Sequence, residues 1–318
     1  MWTIGVDLGG TKIAAGICDE TGRMLRARSV PTGAGRPREQ ILADMAALCR
    51  GLVEGEELAW ADITAVGVAS PGSIDAARGV VLLASNLAWQ DVPLADELAA
   101  LLGAPVSVDN DANVAALGEV AAGSMAGYRH GILLTLGTGV GGGVIIDGRI
   151  FSGAHGCGGE LGHITLVWRG EMCACGNRGC LEQYASATAL IREGRRAAQA
   201  HPDGAILRAA GSLDAITAKT VIDCARDGDA DALRIFDDFI DALAMGIVSL
   251  VNVFEPEAIA IGGGLSAAGD FLLQPLRRRV GERMVGPEGY RPDIVLATLG
   301  NDAGIVGAAM LARDRAKE

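Results

Sequence analysis

Residues 2–18, WTIGVDLGGTKIAAGIC, and residues 132–148, ILLTLGTGVGGGVIIDG, follow one pattern. Each runs from an apolar strand through a turn of glycine and threonine into a second apolar strand. Laying Leu8 on Leu136 also lays Gly9 on Gly137 and Gly16-Ile17 on Val144-Ile145. Glycines align easily, so the match is weak residue by residue. Its use is architectural: a chain that starts the same hairpin twice reads as two lobes of related design. Helical periodicity follows each hairpin. Arg38–Val53, Pro93–Leu102 and Asp111–Ala122 come after the first, and Glu182–Ala200, Ala218–Ala225 and Asp229–Phe254 after the second. Further strands are expected at Ile63–Val68, Pro105–Val108, Ala258–Ile261 and Asp293–Leu299. Strands alternating with helices make an α/β fold. The expected lobes are 1–122 and 123–318. Hinges are placed near 122–131 and at the C-terminal helix, which begins at Asp302, runs to about 315 and is expected to pack back on the first lobe.

Three glycine-rich turns follow apolar strands. They are Asp7-Leu8-Gly9-Gly10-Thr11-Lys12, Leu136-Gly137-Thr138-Gly139 with the glycines after it, and Ile261-Gly262-Gly263-Gly264. Such turns let backbone amides approach an anion closely. One alone is as readily a plain turn; three, two of them in repeated positions, are not easily dismissed. None has the GxxxxGK[ST] spacing of a P-loop. None has GxGxxG opening a helix with an acidic residue about 20 further on, as dinucleotide folds do. The chain carries a net charge of -12, with 27 basic and 39 acidic residues, and shows no basic cluster of the kind that binds nucleic acid. An acidic protein that handles phosphates must do so locally, with amides and a metal ion. Asp7, at the end of the first strand, is placed to hold Mg²⁺ through water. The plainer reading, a turn-capping aspartate, stays open.

Val108-Asp109-Asn110-Asp111-Ala112-Asn113 leads from a strand into a helix. Asn or Asp is the normal helix N-cap. Four polar residues in five exceed what a cap needs, and phosphoryl transfer to an alcohol needs a carboxylate beside the hydroxyl.

The stretch HITLVWRGEMCACGNRGC, from His163 to Cys180, holds three of the seven cysteines. Cys173, Cys175 and Cys180, with His163 ten residues upstream, fit a tetrahedral Cys3His zinc site. Free structural thiols or a redox pair are the alternatives. Four protein ligands leave no open position, so the metal would be structural. The other cysteines, Cys18, Cys49, Cys157 and Cys224, are scattered, which argues against a secreted disulfide framework. Met1 leads directly into a strand-like run without a signal peptide, and the apolar run near Ala242–Val251 is too short to span a bilayer. A cytoplasmic protein is expected.

In this order, DLGGTK, NDAN, LGTGVGGG, ELGH and CxCGxxGCLE resemble the ROK family of sugar kinases and repressors, over essentially the whole chain. The resemblance implies an actin-like, hexokinase-type (ribonuclease H-like) fold of two lobes with a duplicated βαβ core, and ATP and sugar in the cleft. It implies Asp111 as catalytic base. Gly72, Asn110, Asp111, Glu160, His163 and Glu182 become sugar contacts. Gly9, Gly10, Thr11, Lys12, Gly137, Thr138 and Gly139 become phosphate-loop residues, with Gly262, Gly263 and Gly264 near adenosine. His163, Cys173, Cys175 and Cys180 become the ligands of a structural Zn²⁺, with Mg²⁺ accompanying ATP. HGCGG ahead of ELGH departs mildly from the family pattern and leaves the motif intact. The family's repressors carry a helix-turn-helix before the first glycine loop; here that loop starts at residue 7, which points to an enzyme rather than a sugar-sensing regulator. SPGSID and the Ser85–Trp89 stretch look most like the glucokinase branch, which phosphorylates the 6-hydroxyl of glucose. Kinases for N-acetylmannosamine, N-acetylglucosamine or another hexose are the close alternative, and polyphosphate users share these motifs. The family's habit suggests a homodimer or homotetramer. Glu160 and Glu182 flank the metal loop, so metal loss is expected to disturb sugar binding. The nucleotide loops lie elsewhere in the chain, so ATP binding is expected to be spared.

Overall fold

The first hairpin forms as the pattern requires. β1 (Trp2–Leu8) and β2 (Lys12–Cys18) pair antiparallel, with Leu8 opposite Ile13. In both strands nearly every residue is buried, as expected where a sheet is covered on both faces. The computed structural model describes residues 1–54 and 58–317.

β3 (Met24–Pro31) extends this sheet at its edge, and the sequence reading missed it. None of its eight residues is buried, so it offers no apolar alternation to detect. α1 (Arg38–Val53) matches its expected span, and β4 (Ile63–Ser70) runs two residues beyond it. A small antiparallel sheet of β5 (Ser73–Asp75), β6 (Val80–Ala84) and β7 (Trp89–Val92) also escaped detection, because strands of three to five residues are too short to show a period. Then come α2 (Leu94–Leu102), β8 (Val106–Asn110) and α3 (Asp111–Ala122). The first sheet has the order β3-β2-β1-β4-β8. β4 runs parallel to both β1 and β8, so the C-terminal ends of these three strands share one edge.

The design then repeats. β9 (Gly131–Leu136), β10 (Val140–Ile146) and the short β11 (Arg149–Ile150) reproduce β1, β2 and β3. The helices that follow are α4 (Glu182–Ala185), α5 (Ala187–Ala200), α6 (Ala205–Ala210), α7 (Ala218–Arg226) and α8 (Ala230–Phe254). β12 (Ala258–Gly262), α9 (Asp270–Arg283), β13 (Asp293–Leu296) and α10 (Ala303–Arg315) complete the chain. The second sheet has the order β11-β10-β9-β12-β13, the same scheme as the first, strand for strand.

The helix expected over Glu182–Ala200 is two helices. Ser186 adopts an extended backbone and its hydroxyl accepts the Ala189 amide at 3.1 Å, capping a new helix. α9 was missed because Pro275 and its run of arginines obscure the buried Leu272, Leu273, Leu276 and Val280.

Two compact units result. One is Met1–Leu133, Gly143–Gly159 and Thr298–Glu318; the other is Leu134–Gly142 and Glu160–Ala297. This differs from the expected division at residue 122. The chain changes unit inside β9 and β10 rather than in the loop before them, since paired strands keep running past the point where the packing changes. α10 belongs to the first unit and lies on β1 and β4 with no side chain between. A Cβ on Gly5 would collide with Ile305 O, and one on Gly67 with Ala308 O. Among the described residues, no helix is long and apolar enough to cross a membrane.

Candidate active site and metal centre

In the first unit the candidate residues gather where β1, β4 and β8 end. Pairing sets Asp7 beside Ala69 and Ala69 beside Asp109, with Ser70 beside Asn110. Ligands of open α/β sheets bind at this edge because the loops leaving parallel strands there converge. The first glycine turn closes when Gly9 N–H donates to Lys12 O at 2.9 Å. Thr32 steadies it from β3's end, its hydroxyl donating to Gly9 O at 2.6 Å. Asn86, from the Ser85–Trp89 stretch, lies over Gly10.

Asn110 is both cap and strut. Its Oδ1 accepts the amides of Ala112 at 2.9 Å and Asn113 at 3.3 Å, while its Nδ2 donates to Gly72 O at 3.0 Å. Gly72 has φ +93, and a Cβ there would collide with Leu83 O, so only glycine fits. Asp109 is buried beneath the turn. Its Oδ1 accepts Asn113 Nδ2 at 3.1 Å and the Asn110 amide at 2.7 Å. Burial raises its pKa, with the Asn113 bond acting against that shift. Asp111, first residue of α3, is exposed, and its Oδ1 accepts the Ala112 amide at 2.8 Å. Asp7 titrates at about 6 instead of 3.8, raised by burial and then by the Asp111 charge, and partly lowered by Lys12. The like charges of Asp7 and Asp111 thus act on each other at one strand edge.

In the second unit the other two glycine loops meet. Gly263, with φ +79, packs so tightly on Leu136 that a Cβ would collide with the Leu136 backbone. Ser266 Oγ donates to Gly263 O at 2.8 Å and holds that turn. Gly137 N–H donates to Gly139 O at 3.0 Å, closing the second turn. Gly262 ends β12, and Gly264 begins the short helical turn beyond Gly263.

His163, Cys173, Cys175 and Cys180 converge, their ligand atoms all within 4.8 Å of one another. Cys175 and Cys180 Sγ are 3.6 Å apart, and Cys173 Sγ is 3.7 Å from His163 Nδ1. Zinc–sulfur bonds of about 2.3 Å at tetrahedral angles require edges of about 3.8 Å, so the four residues fit the ion. Local backbone bonds draw the loop together: the Leu166 amide donates to Gly179 O and the Leu181 amide to Ile164 O. Burial and the neighbouring thiols push the Cys180 thiol up to about 12, whereas Cys175 is lowered by the Asn177 amide and by Cys173. His163 turns its other nitrogen, Nε2, toward Glu160 Oε2 at 4.0 Å.

Glu182 makes contacts that the sequence reading did not anticipate. Its Oε2 accepts the Val140 amide at 3.1 Å, and its Oε1 accepts from Cys173 Sγ at 3.7 Å. The α4–α5 elbow adds two more ties: the Ala187 amide donates to Gly137 O at 2.8 Å, and Thr188 Oγ1 to Thr138 O at 2.6 Å. The metal loop and the second glycine loop are far apart in sequence but in direct contact in the fold. The sequence reading also missed Glu119, which is fully buried and receives the amides of Ser124, Thr298 and Leu299. A carboxylate set among the apolar residues in the middle of α3 was the available signal.

The ROK family model matches residues 3–315. A glucokinase of Thermotoga maritima is 41% identical over 313 residues, covering 98% of this chain and 97% of its own. A glucokinase of Streptomyces coelicolor is 42% identical over 317 residues, 98% of each chain. The crystal structure of a ROK family glucokinase from Streptomyces griseus, in complex with glucose and AMPPNP, is 41% identical with a TM-score of 0.78, covering 99% of this chain and 100% of its own.

Proposed function

The chain belongs to the ROK family, and from that premise we propose that it is an ATP-dependent glucokinase, transferring the γ-phosphoryl group of ATP to the 6-hydroxyl of glucose. The observation that carries this reading is the carboxylate Asp111 standing exposed at the end of β8, on a turn braced by Asn110, Gly72 and the buried Asp109. Phosphoryl transfer asks for little covalent chemistry from the protein; it asks for positioning and for charge placed where charge develops. Asp111 takes the proton of the attacking hydroxyl. Asn110 with Gly72, and Glu160, His163 and Glu182, fix the sugar's other hydroxyls. The turns Gly9–Lys12 and Gly137–Gly139 offer amides to the phosphates, and Gly262–Gly264 border the adenosine. Asp7 would hold Mg²⁺, which supplies neutralising charge to the phosphates. His163, Cys173, Cys175 and Cys180 would hold Zn²⁺ with four protein ligands, and the ion would serve shape rather than chemistry. The seven free cysteines fit a reducing cytoplasm. The enzyme would assemble as two or four copies, which light scattering reads directly.

Asp111→Asn tests the base. It keeps the size and removes the basicity, so kcat should fall about 10²–10⁴-fold. Glucose affinity, read by calorimetry, should change only a few-fold. Near-normal turnover of that variant would remove Asp111 from the role.

A further inference from the structure

We infer that Glu182 is a positioning residue that ties the metal loop to the second glycine loop, so that occupation of the Cys3His cluster sets the shape in which Gly137–Val140 meets the nucleotide phosphates. The inference rests on the kinase reading above and adds a route by which the metal acts on the ATP side as well as the sugar side.

The geometry is confined to the second unit. Glu182 stands two residues after the ligand Cys180, on the first turn of α4. One carboxylate oxygen lies 3.7 Å from Cys173 Sγ, a bond only the thiol can donate, so with the metal bound the tie runs through the two-residue link from Cys180; the other oxygen holds the Val140 amide at 3.1 Å. A Cβ on Gly139 would collide with that same Oε2, so the glycine loop is moulded against this carboxylate. Ala187 and Thr188, a few residues on, grip Gly137 O and Thr138 O. Three successive residues of the glycine loop, and then Val140, are therefore contacted from the segment that begins where the metal loop ends. A hydrogen bond from a backbone amide to an ionised carboxylate is strong and directional. The amides of a phosphate-binding turn must point one way to be useful. Losing the metal lets Cys173 and Cys180 move, and Glu182 moves with them.

The test measures ATP affinity by calorimetry with no sugar present, alongside zinc content and circular dichroism. Zinc-loaded wild-type protein should bind ATP. Glu182→Ala should keep its zinc and lose about tenfold in ATP affinity, the scale of one lost charge-assisted bond. Glu182→Gln retains an oxygen for the Val140 amide and should stay within about threefold of wild type. Stripping zinc from the wild type should weaken ATP binding as the alanine variant does, and stripping it from Glu182→Ala should add little further loss. Should the stripped protein lose its dichroism, the two zinc-loaded variants decide the matter alone. Unchanged ATP affinity in zinc-loaded Glu182→Ala overturns the inference and leaves the kinase reading standing. A zinc-loaded wild type that does not bind ATP sinks both.

Discussion

Asp7 is held in a fold that prefers it protonated. Its pKa of about 6 lies above the ordinary 3.8, from burial first and the neighbouring Asp111 second. A raised carboxylate stabilises the fold fully only below the unfolded value, and that stability is lost as pH climbs through the folded one. Asp7→Asn removes the loss. At pH 7.5 the variant should be more stable than wild type by on the order of 2–3 kcal/mol, an upper figure at 1.36 kcal/mol per pKa unit. Near pH 3.5 the gap should close. Urea titrations at the two pH values check this, and a variant no more stable at pH 7.5 would mean that Asp7 is not strained by its setting. The strand-end placing of Asp7 and Asp111 and the convergence of His163, Cys173, Cys175 and Cys180 were legible because their spacing is local. What Asp109, Glu119 and Glu182 do was not legible. Their partners are Asn113 and the Val140 amide, or segments as distant as Thr298, and nothing in a linear reading joins Glu119 to Thr298.

Among the elements, α10 shows how glycine decides helix placement. Gly5 on β1 and Gly67 on β4 leave the helix backbone in contact with the sheet. The obstacle at Gly67 is the Ala308 carbonyl, part of a helix that cannot yield like a flexible side chain. Gly67→Ala should therefore destabilise the protein by about 1–3 kcal/mol or more. Gly51, inside α1, faces only the Arg28 guanidinium. Gly51→Ala should instead be stabilising by up to about 1 kcal/mol, from helix propensity. Guanidinium melts of both variants read the contrast, and equal effects at the two positions would deny the close packing of α10. Long helices and buried strands announced themselves in the sequence through their periods. The edge strand β3 and the sheet β5–β6–β7 did not, since a polar edge and very short strands carry no apolar period.

At the scale of the whole molecule, the repeat read from two glycine hairpins became two sheets with one strand order. The weak alignment was a better guide than its residue identities suggested, because strands pair through backbone hydrogen bonds and the strand order survives substitution of side chains. The division into units was less legible: the chain changes unit at four places, two of them inside strands. The central claim is that this protein phosphorylates glucose with ATP. It is tested most directly by kcat/KM for ADP release with glucose, mannose, N-acetylmannosamine and N-acetylglucosamine, on the zinc-loaded protein. Glucose should exceed either N-acetyl sugar by tenfold or more, a difference of about 1.4 kcal/mol at the transition state. An N-acetyl sugar leading by that margin, or no ADP release with any of the four, would contradict it.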